Sequence, residues 1–76
     1  MGALEDKIIV EYSEDKALKA ASLSYPLKDK GLRIEMRRVS GKGVLLFKIN
    51  KLFYREEDYP YMVARVLVHG QQRDLE

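Results

Sequence analysis

The segment LRIEMRRVSGKGVLLFKIN, residues 32–50, decides the predicted fold because it has the pattern of two strands joined by a tight turn. In its first half, Leu32, Ile34 and Met36 alternate with charged residues, which is the period of a strand that buries one face. Its second half resumes the alternation, so we expect a core that also contains Leu45, Phe47 and Ile49.

The four residues Ser40-Gly41-Lys42-Gly43 separate the two predicted strands. Two glycines in so short a segment supply the positive φ angles that a tight reversal requires. The segment lacks the G-x-x-x-x-G-K-[ST] spacing of a phosphate-binding loop, and no helix pattern follows it. The sequence therefore predicts a hairpin turn here.

The outer face of this hairpin is richer in apolar residues than a solvated strand pair requires. Val39, Val44 and Leu46 cluster at its turn end, and Ile9 of an earlier strand falls on the same side. They are either ordinary β-formers at a partly exposed site or a contact with another subunit. A chain of 76 residues without cysteine has no disulfide to stabilise a small core, which favours the contact.

Elements on either side of the hairpin complete the predicted layout. Residues 7–12 (KIIVEY) alternate as a first strand, and Ser13 is a suitable N-cap for a helix over residues 14–24. Pro26 is expected to end that helix. Its predicted buried face consists of Ala17, Leu18, Ala21 and Tyr25.

Residues 59–69 fit two interpretations. Pro60 suits the first turn of a helix, whereas the β-branched residues of MVARVLVH suit a strand. The need to cover the sheet favours the helix. The predicted fold is thus a single α+β domain over residues 1–76, a two-layer sandwich in the order β-α-β-β-α. Its three-stranded antiparallel sheet carries two helices on one face.

Catalytic chemistry has no support in the sequence. His69 is the only histidine, no nucleophile lies in a recognisable relation to a base, and no cysteine is present. We therefore predict a protein that is not an enzyme, with no catalytic, cofactor or metal site. The apolar runs are too short to span a bilayer, so we expect no membrane partner. Dense charge of both signs and the lack of cysteine lead us to expect a cytoplasmic protein.

Basic residues near the turn offer an alternative function. Arg37, Arg38 and Lys42 are candidate contacts to RNA phosphates, although a solvated sheet face is the more common explanation of such residues. The net charge of +2 is too small to argue for nucleic-acid binding by itself. A small nucleic-acid-binding module is therefore the alternative prediction.

The first two-thirds of the chain resembles the small dimerisation subunit of the KEOPS complex, which makes the threonylcarbamoyl-adenosine modification of tRNA. The resemblance rests on the strand end and helix start Val10-Glu11-Tyr12-Ser13-Glu14-Asp15, on the alanine-rich helix before Pro26, and on the segment from Arg37 to Phe47. It implies a divergent paralogue that is a non-catalytic assembly subunit, pairing through its sheet as a homodimer or with a related small subunit. It also implies a larger complex and contact with tRNA, but no individual residue is carried over from the family. The apolar residues of the outer face, Ile9, Val39, Val44 and Leu46, are the ones expected to face the partner protein.

Overall fold

The first strand is the centre of the sheet. In the computed structural model, which describes residues 7–66, β1 (Lys7–Tyr12) pairs on both sides. It runs parallel to β2 (Arg33–Arg38) and antiparallel to β3 (Leu45–Ile49). Ile8 and Val10 are buried, as the alternation of residues 7–12 predicts.

The segment between β1 and β2 is a helical connection. A short 3-10 turn, Glu14–Lys16, leads into α1 (Ala17–Asp29), which packs on one face of the sheet. Parallel neighbours require a long connection of this kind, usually a helix. Strands β1 and β2 with α1 therefore form a βαβ unit, in place of the wholly antiparallel sheet predicted from the sequence.

Helix α1 is longer than predicted and presents a different face to the core. Pro26 lies inside it, and the buried positions are Ala20, Ser24 and Leu27. Leu18 and Tyr25, expected in the core, are 80% and 71% exposed. The helix continues because the carbonyl that loses its partner to Pro26 belongs to Ser22, an exposed residue that water can reach. Leu27 is then buried on the same side of α1 as Ala20 and Ser24, and this buried face does not include Leu18.

Gly31, not Pro26, marks the end of α1. Its φ is +88°, and its N–H donates to the carbonyl of Lys28 at 2.9 Å. The N–H of Leu32 donates to the carbonyl of Leu27 at 3.1 Å. These two bonds are those of a Schellman motif, which favours glycine at the left-handed position.

The sheet has four strands in the order β2-β1-β3-β4, so the predicted count of three is wrong. The additional strand, β4 (Leu52–Arg55), forms a hairpin with β3 through the two-residue turn Asn50-Lys51. Asn50 has a φ of +55°, a left-handed conformation that asparagine tolerates better than most residues. The order of elements is β-α-β-β-β-α.

The hairpin predicted over residues 32–50 does not form. Strands β2 and β3 are each hydrogen-bonded to β1, which lies between them. The glycine-containing segment, residues 39–44, instead crosses the end of β1, and we call it the crossover loop. Alternation identifies strands and their buried faces, but it carries no information on which strand pairs with which, and this explains the error.

The second helix covers the same face of the sheet as α1. Residues 59–66 are helical, which confirms the helix for that part of the ambiguous segment, while 67–69, and with them His69, lie outside the described residues. Met62 is fully buried with Phe47 and Leu27. The Tyr59 hydroxyl donates to the Leu23 carbonyl of α1 at 2.7 Å. Two helices on one face of a sheet, the α+β class predicted, are therefore present.

Candidate binding surface

The face of the sheet opposite the helices is the candidate binding surface, and we call it the open face. Alternate strand positions point to it, and the pairing registers place them side by side across four strands. Within residues 7–66 no helix or loop is packed over it. Its members are Lys7, Ile9, Glu11, Arg33, Glu35, Arg37, Leu46, Lys48, Phe53 and Arg55.

Both carboxylates of the open face are held between cations. Glu35 accepts from Lys7 at 2.8 Å and from Arg37. The Lys7 ammonium, followed by the Arg37 guanidinium, lowers the pKa of Glu35 to about 2. Glu11 lies 3.2 Å from Lys48 Nζ and 3.9 Å from Arg37 Nη1. These pairs link the side chains of β2, β1 and β3 into one network.

Phe53 is the large exposed aromatic residue of this surface. Its side chain is 64% exposed, and Lys48 Nζ lies 5.4 Å from the centre of its ring. Lys48 faces Phe53 across β3 and β4 and also pairs with Glu11. One side of the ring is thus next to a cation, an arrangement in which the quadrupole of the ring favours the charge.

The open face is strongly basic although the whole chain is not. It carries five cationic side chains and two carboxylates, a surplus of three positive charges, whereas the complete sequence has a net charge of +2. Arg33 and Arg55 are exposed, and neither forms an ion pair with another residue of 7–66. These two arginines flank the network on the outer strands, where an anionic ligand can reach them.

The residues predicted to face a partner protein divide into two places. Ile9 and Leu46 are half-buried on the adjacent strands β1 and β3. Leu46 pairs with Glu11, two residues after Ile9, so the two apolar residues are diagonal neighbours on the open face. Val39 and Val44 lie in the crossover, where backbone bonds join them to Tyr12 and Ser13, at the end of β1. Val39 therefore does not form one cluster with Ile9, because Ile9 pairs with Glu35, which is four residues before Val39 in the chain.

The residues predicted to touch RNA are not brought to one surface. Arg37 is on the open face and is paired with two carboxylates. Arg38 follows it in β2, so its side chain starts from the opposite face of the sheet. Lys42 lies in the crossover loop. The combination that the sequence suggested is therefore spread over two faces and a loop.

The crossover loop itself is fastened to the chain just after β1. The buried Ser13 hydroxyl accepts the Val44 N–H at 2.9 Å and donates to Asp15 Oδ1 at 2.6 Å. Asp15 accepts the Gly43 N–H with both oxygens, at 3.0 and 3.1 Å. The Ser13 hydroxyl and the Gly43 N–H lower the pKa of Asp15. The Asp15 carboxylate already accepts the Gly43 N–H, so a phosphate that approached this amide would meet a negative charge.

Between positions 7 and 66 no three His, Cys, Asp or Glu side chains come together in a group suited to a metal ion. Within the same residues, no helix combines the length and apolar character needed to cross a membrane.

The contribution of Phe53 was missed at the level of sequence. The signal that could have revealed it is the alternation in Leu52-Phe53-Tyr54-Arg55 directly after Asn50-Lys51, a pair suited to a tight turn. That pattern places Phe53 and Arg55 on one face and Tyr54 on the other. Strand β4 then adds both an aromatic residue and a cation to the open face.

Comparison of the chain with protein-family models, with curated proteins and with solved structures finds no significant match.

Proposed function

We propose that this protein is a non-catalytic assembly subunit of a tRNA-modifying complex of the KEOPS type, and that it binds a partner protein through its sheet. The observation that carries the proposal is the open face, which has half-buried Ile9 and Leu46 on its two inner strands and no covering element among residues 7–66. The resemblance of the first two-thirds of the chain to the small KEOPS subunit supplies the kind of complex.

The charge of the open face favours a different chain over a second copy as the partner. Two copies meeting face to face would bring together two surfaces that each carry a surplus of three positive charges. Like charges placed opposite each other across a sheet interface are destabilising. A heterologous partner with an acidic surface avoids this repulsion, and it can still cover Ile9 and Leu46.

The partner contact is expected at the end of the open face nearest the crossover. Leu46 lies there in register with Glu11, and Val44 is two residues earlier in the chain, on the same side by strand alternation. Val39 belongs to the same crossover, on the β2 side of β1. A protein seated on this end would bury these apolar side chains, and the cations around them would select an acidic surface.

Co-expression with the subunits of a KEOPS-type complex from the source organism tests the proposal. We expect the chain to co-elute with the kinase-like catalytic subunit or the small dimerisation subunit, as measured by size exclusion with light scattering. Leu46→Asp should abolish co-elution while the circular dichroism spectrum is unchanged, because a buried charge at an interface is strongly unfavourable. Leu46→Thr, a milder change to a polar β-former, should weaken it.

Leu18 provides the matched control. It is an exposed leucine on α1, away from the sheet, so Leu18→Asp should leave co-elution unchanged. A chain that remains monomeric in the presence of both KEOPS-type subunits would overturn the proposal. Equal loss of binding in Leu18→Asp and Leu46→Asp would show that the sheet is not the contact.

A further inference from the structure

We infer that the β4 side of the open face is a binding site for single-stranded nucleic acid, with Phe53 as the surface on which a base stacks. The site adjoins the end proposed to contact a partner protein, where Leu46 faces Arg55 across β3 and β4, but its stacking residue Phe53 has no part in that contact. It does not depend on that proposal. It also differs from the set Arg37, Arg38 and Lys42 suggested by the sequence.

Phe53 supplies the stacking surface. It is a phenylalanine that is 64% exposed, on a strand whose neighbour Lys48 places a cation 5.4 Å from the ring centre. A base can lie on the free side of the ring, since every base has a π face and such stacking tolerates any sequence. No core packing explains the residue, because Tyr54 is the neighbour in β4 that packs against the core.

The cations around Phe53 supply the attraction for phosphates. Arg55 is two residues away on the same strand and face, and Arg33 lies on the same face at the other edge of the sheet. Neither is paired with a carboxylate within residues 7–66. Neighbouring strands are about 4.8 Å apart, so the two outer strands are about 14 Å from each other. Arg33 pairs with Lys7, whereas Arg55 is level with Glu11, four residues further along β1, so the two arginines lie at opposite corners of the open face, about 20 Å apart. A short single strand that runs diagonally across the face can contact both arginines with its phosphates.

Charge favours a polynucleotide over an uncharged ligand, and the exposed aromatic favours it over a purely acidic peptide. An open sheet with an aromatic platform and flanking cations is the physical arrangement by which proteins hold unstacked bases. A duplex does not fit this chemistry, because its bases are already stacked on each other and only its phosphates are available.

Fluorescence of the variant Phe53→Trp tests the site directly. The chain contains no tryptophan, so the new indole is the only one and reports on this position alone. Titration with oligouridylate or oligothymidylate at about 50 mM salt should quench it, because the indole stacks on a base. The ratio of the two affinities shows whether RNA or DNA is preferred. Tyr61→Trp is the control, since Tyr61 is 78% exposed on the second helix, and it should not be quenched.

Two further variants separate stacking from charge. Phe53→Val keeps a β-forming residue and should weaken oligonucleotide binding about 5- to 150-fold without changing the salt dependence. The double variant with Arg33→Gln and Arg55→Gln should make the slope of log affinity against log salt shallower by about 1.4, which corresponds to two phosphate contacts. Circular dichroism checks that both variants are folded.

Three results would overturn the inference. One is the absence of quenching by either oligonucleotide, and another is unchanged affinity in Phe53→Val. The third is quenching of Phe53→Trp by polyglutamate as strong as that by the oligonucleotides, which would identify an acidic protein surface as the occupant. The first two results do not bear on the light-scattering test with Leu46→Asp, and the third agrees with the acidic partner proposed above. Failure of one proposal is therefore distinguishable from failure of the other.

Discussion

Ser13 shows how much of this fold depends on one small side chain. Its hydroxyl lies fully buried between the end of β1 and the crossover, where it accepts the Val44 N–H and donates to Asp15. Its own N–H donates to the Val44 carbonyl at 3.0 Å. The residue predicted as a helix cap therefore makes no side-chain cap bond, and it fastens the start of β3 beside the end of β1.

Replacement of Ser13 by alanine should lower the free energy of unfolding by about 1 kcal/mol, because it removes the hydrogen bond between the buried Ser13 hydroxyl and the part-buried Val44 N–H. Urea denaturation followed by circular dichroism measures the change. Ser22→Ala is the matched control on the exposed side of α1, and it should change stability by less than about 0.5 kcal/mol. Equal values for the two variants would show that the Ser13 hydroxyl does not stabilise the crossover.

At the scale of elements, the turn between β3 and β4 determines the composition of the open face. Because only two residues connect these strands, Ile49 pairs directly with Leu52, and Lys48 faces Phe53. A turn longer by one residue would shift the register and move Phe53 relative to Lys48. Asn50, with a φ of +55°, is the residue that makes the short turn feasible.

Asn50→Ala should therefore destabilise the protein by about 1 kcal/mol, since alanine avoids the left-handed region, whereas Asn50→Gly should be within about 0.5 kcal/mol of the original chain. Thermal or urea unfolding provides the measurement. Lys51→Ala, in the same turn but without a positive φ, is the control and should have little effect. A destabilising Asn50→Gly would mean that the asparagine side chain, not its backbone, is what the turn requires.

Over the whole molecule, exposed ion pairs connect elements that are distant in sequence. Glu35 joins Lys7 of β1 to Arg37 of β2, and Glu56, which follows β4, pairs with Lys16 and Lys19 at the start of α1. Lys19 and then Lys16 lower the pKa of Glu56. A single exposed ion pair contributes little to stability. These pairs, however, connect β1 to β2 and the end of β4 to the start of α1.

The free energy of unfolding should consequently decrease in acid. Glu35, Asp15 and Glu56 have lower pKa values in the folded chain than their ordinary values, so unfolding takes up protons. The stabilisation is fully present above about pH 5 and is lost as the pH falls towards 2, through the folded pKa of Glu35. Urea denaturation at a series of pH values measures this dependence.

Glu35→Gln should flatten the acid limb of that curve, and high salt should do the same because the pairs are exposed to solvent. Glu57→Gln is the matched control, since Glu57 is exposed and forms no ion pair within residues 7–66. An acid limb identical in the original chain and in Glu35→Gln would show that this carboxylate does not contribute.

The amino-acid sequence by itself determined the local features of the protein. Alternation identified β1 with its buried Ile8 and Val10, and β3 with its buried Leu45 and Phe47, because burial of one face imposes a period of two. The same alternation predicted that the outer face of the strands carries both charged and apolar residues. The α+β class followed from the same local patterns.

Tertiary structure decided the partners of those elements. Insertion of β1 between β2 and β3, and the burial of Leu27 beyond Pro26 in α1, depend on contacts between residues far apart in the chain. Hydrophobic burial is non-directional, so a strand's pattern fixes which face it buries but not which neighbour it pairs with. The strands pair in the order that lets the whole core close around Phe47 and Met62. This order also brings the cationic side chains together and gives the open face its surplus of positive charge.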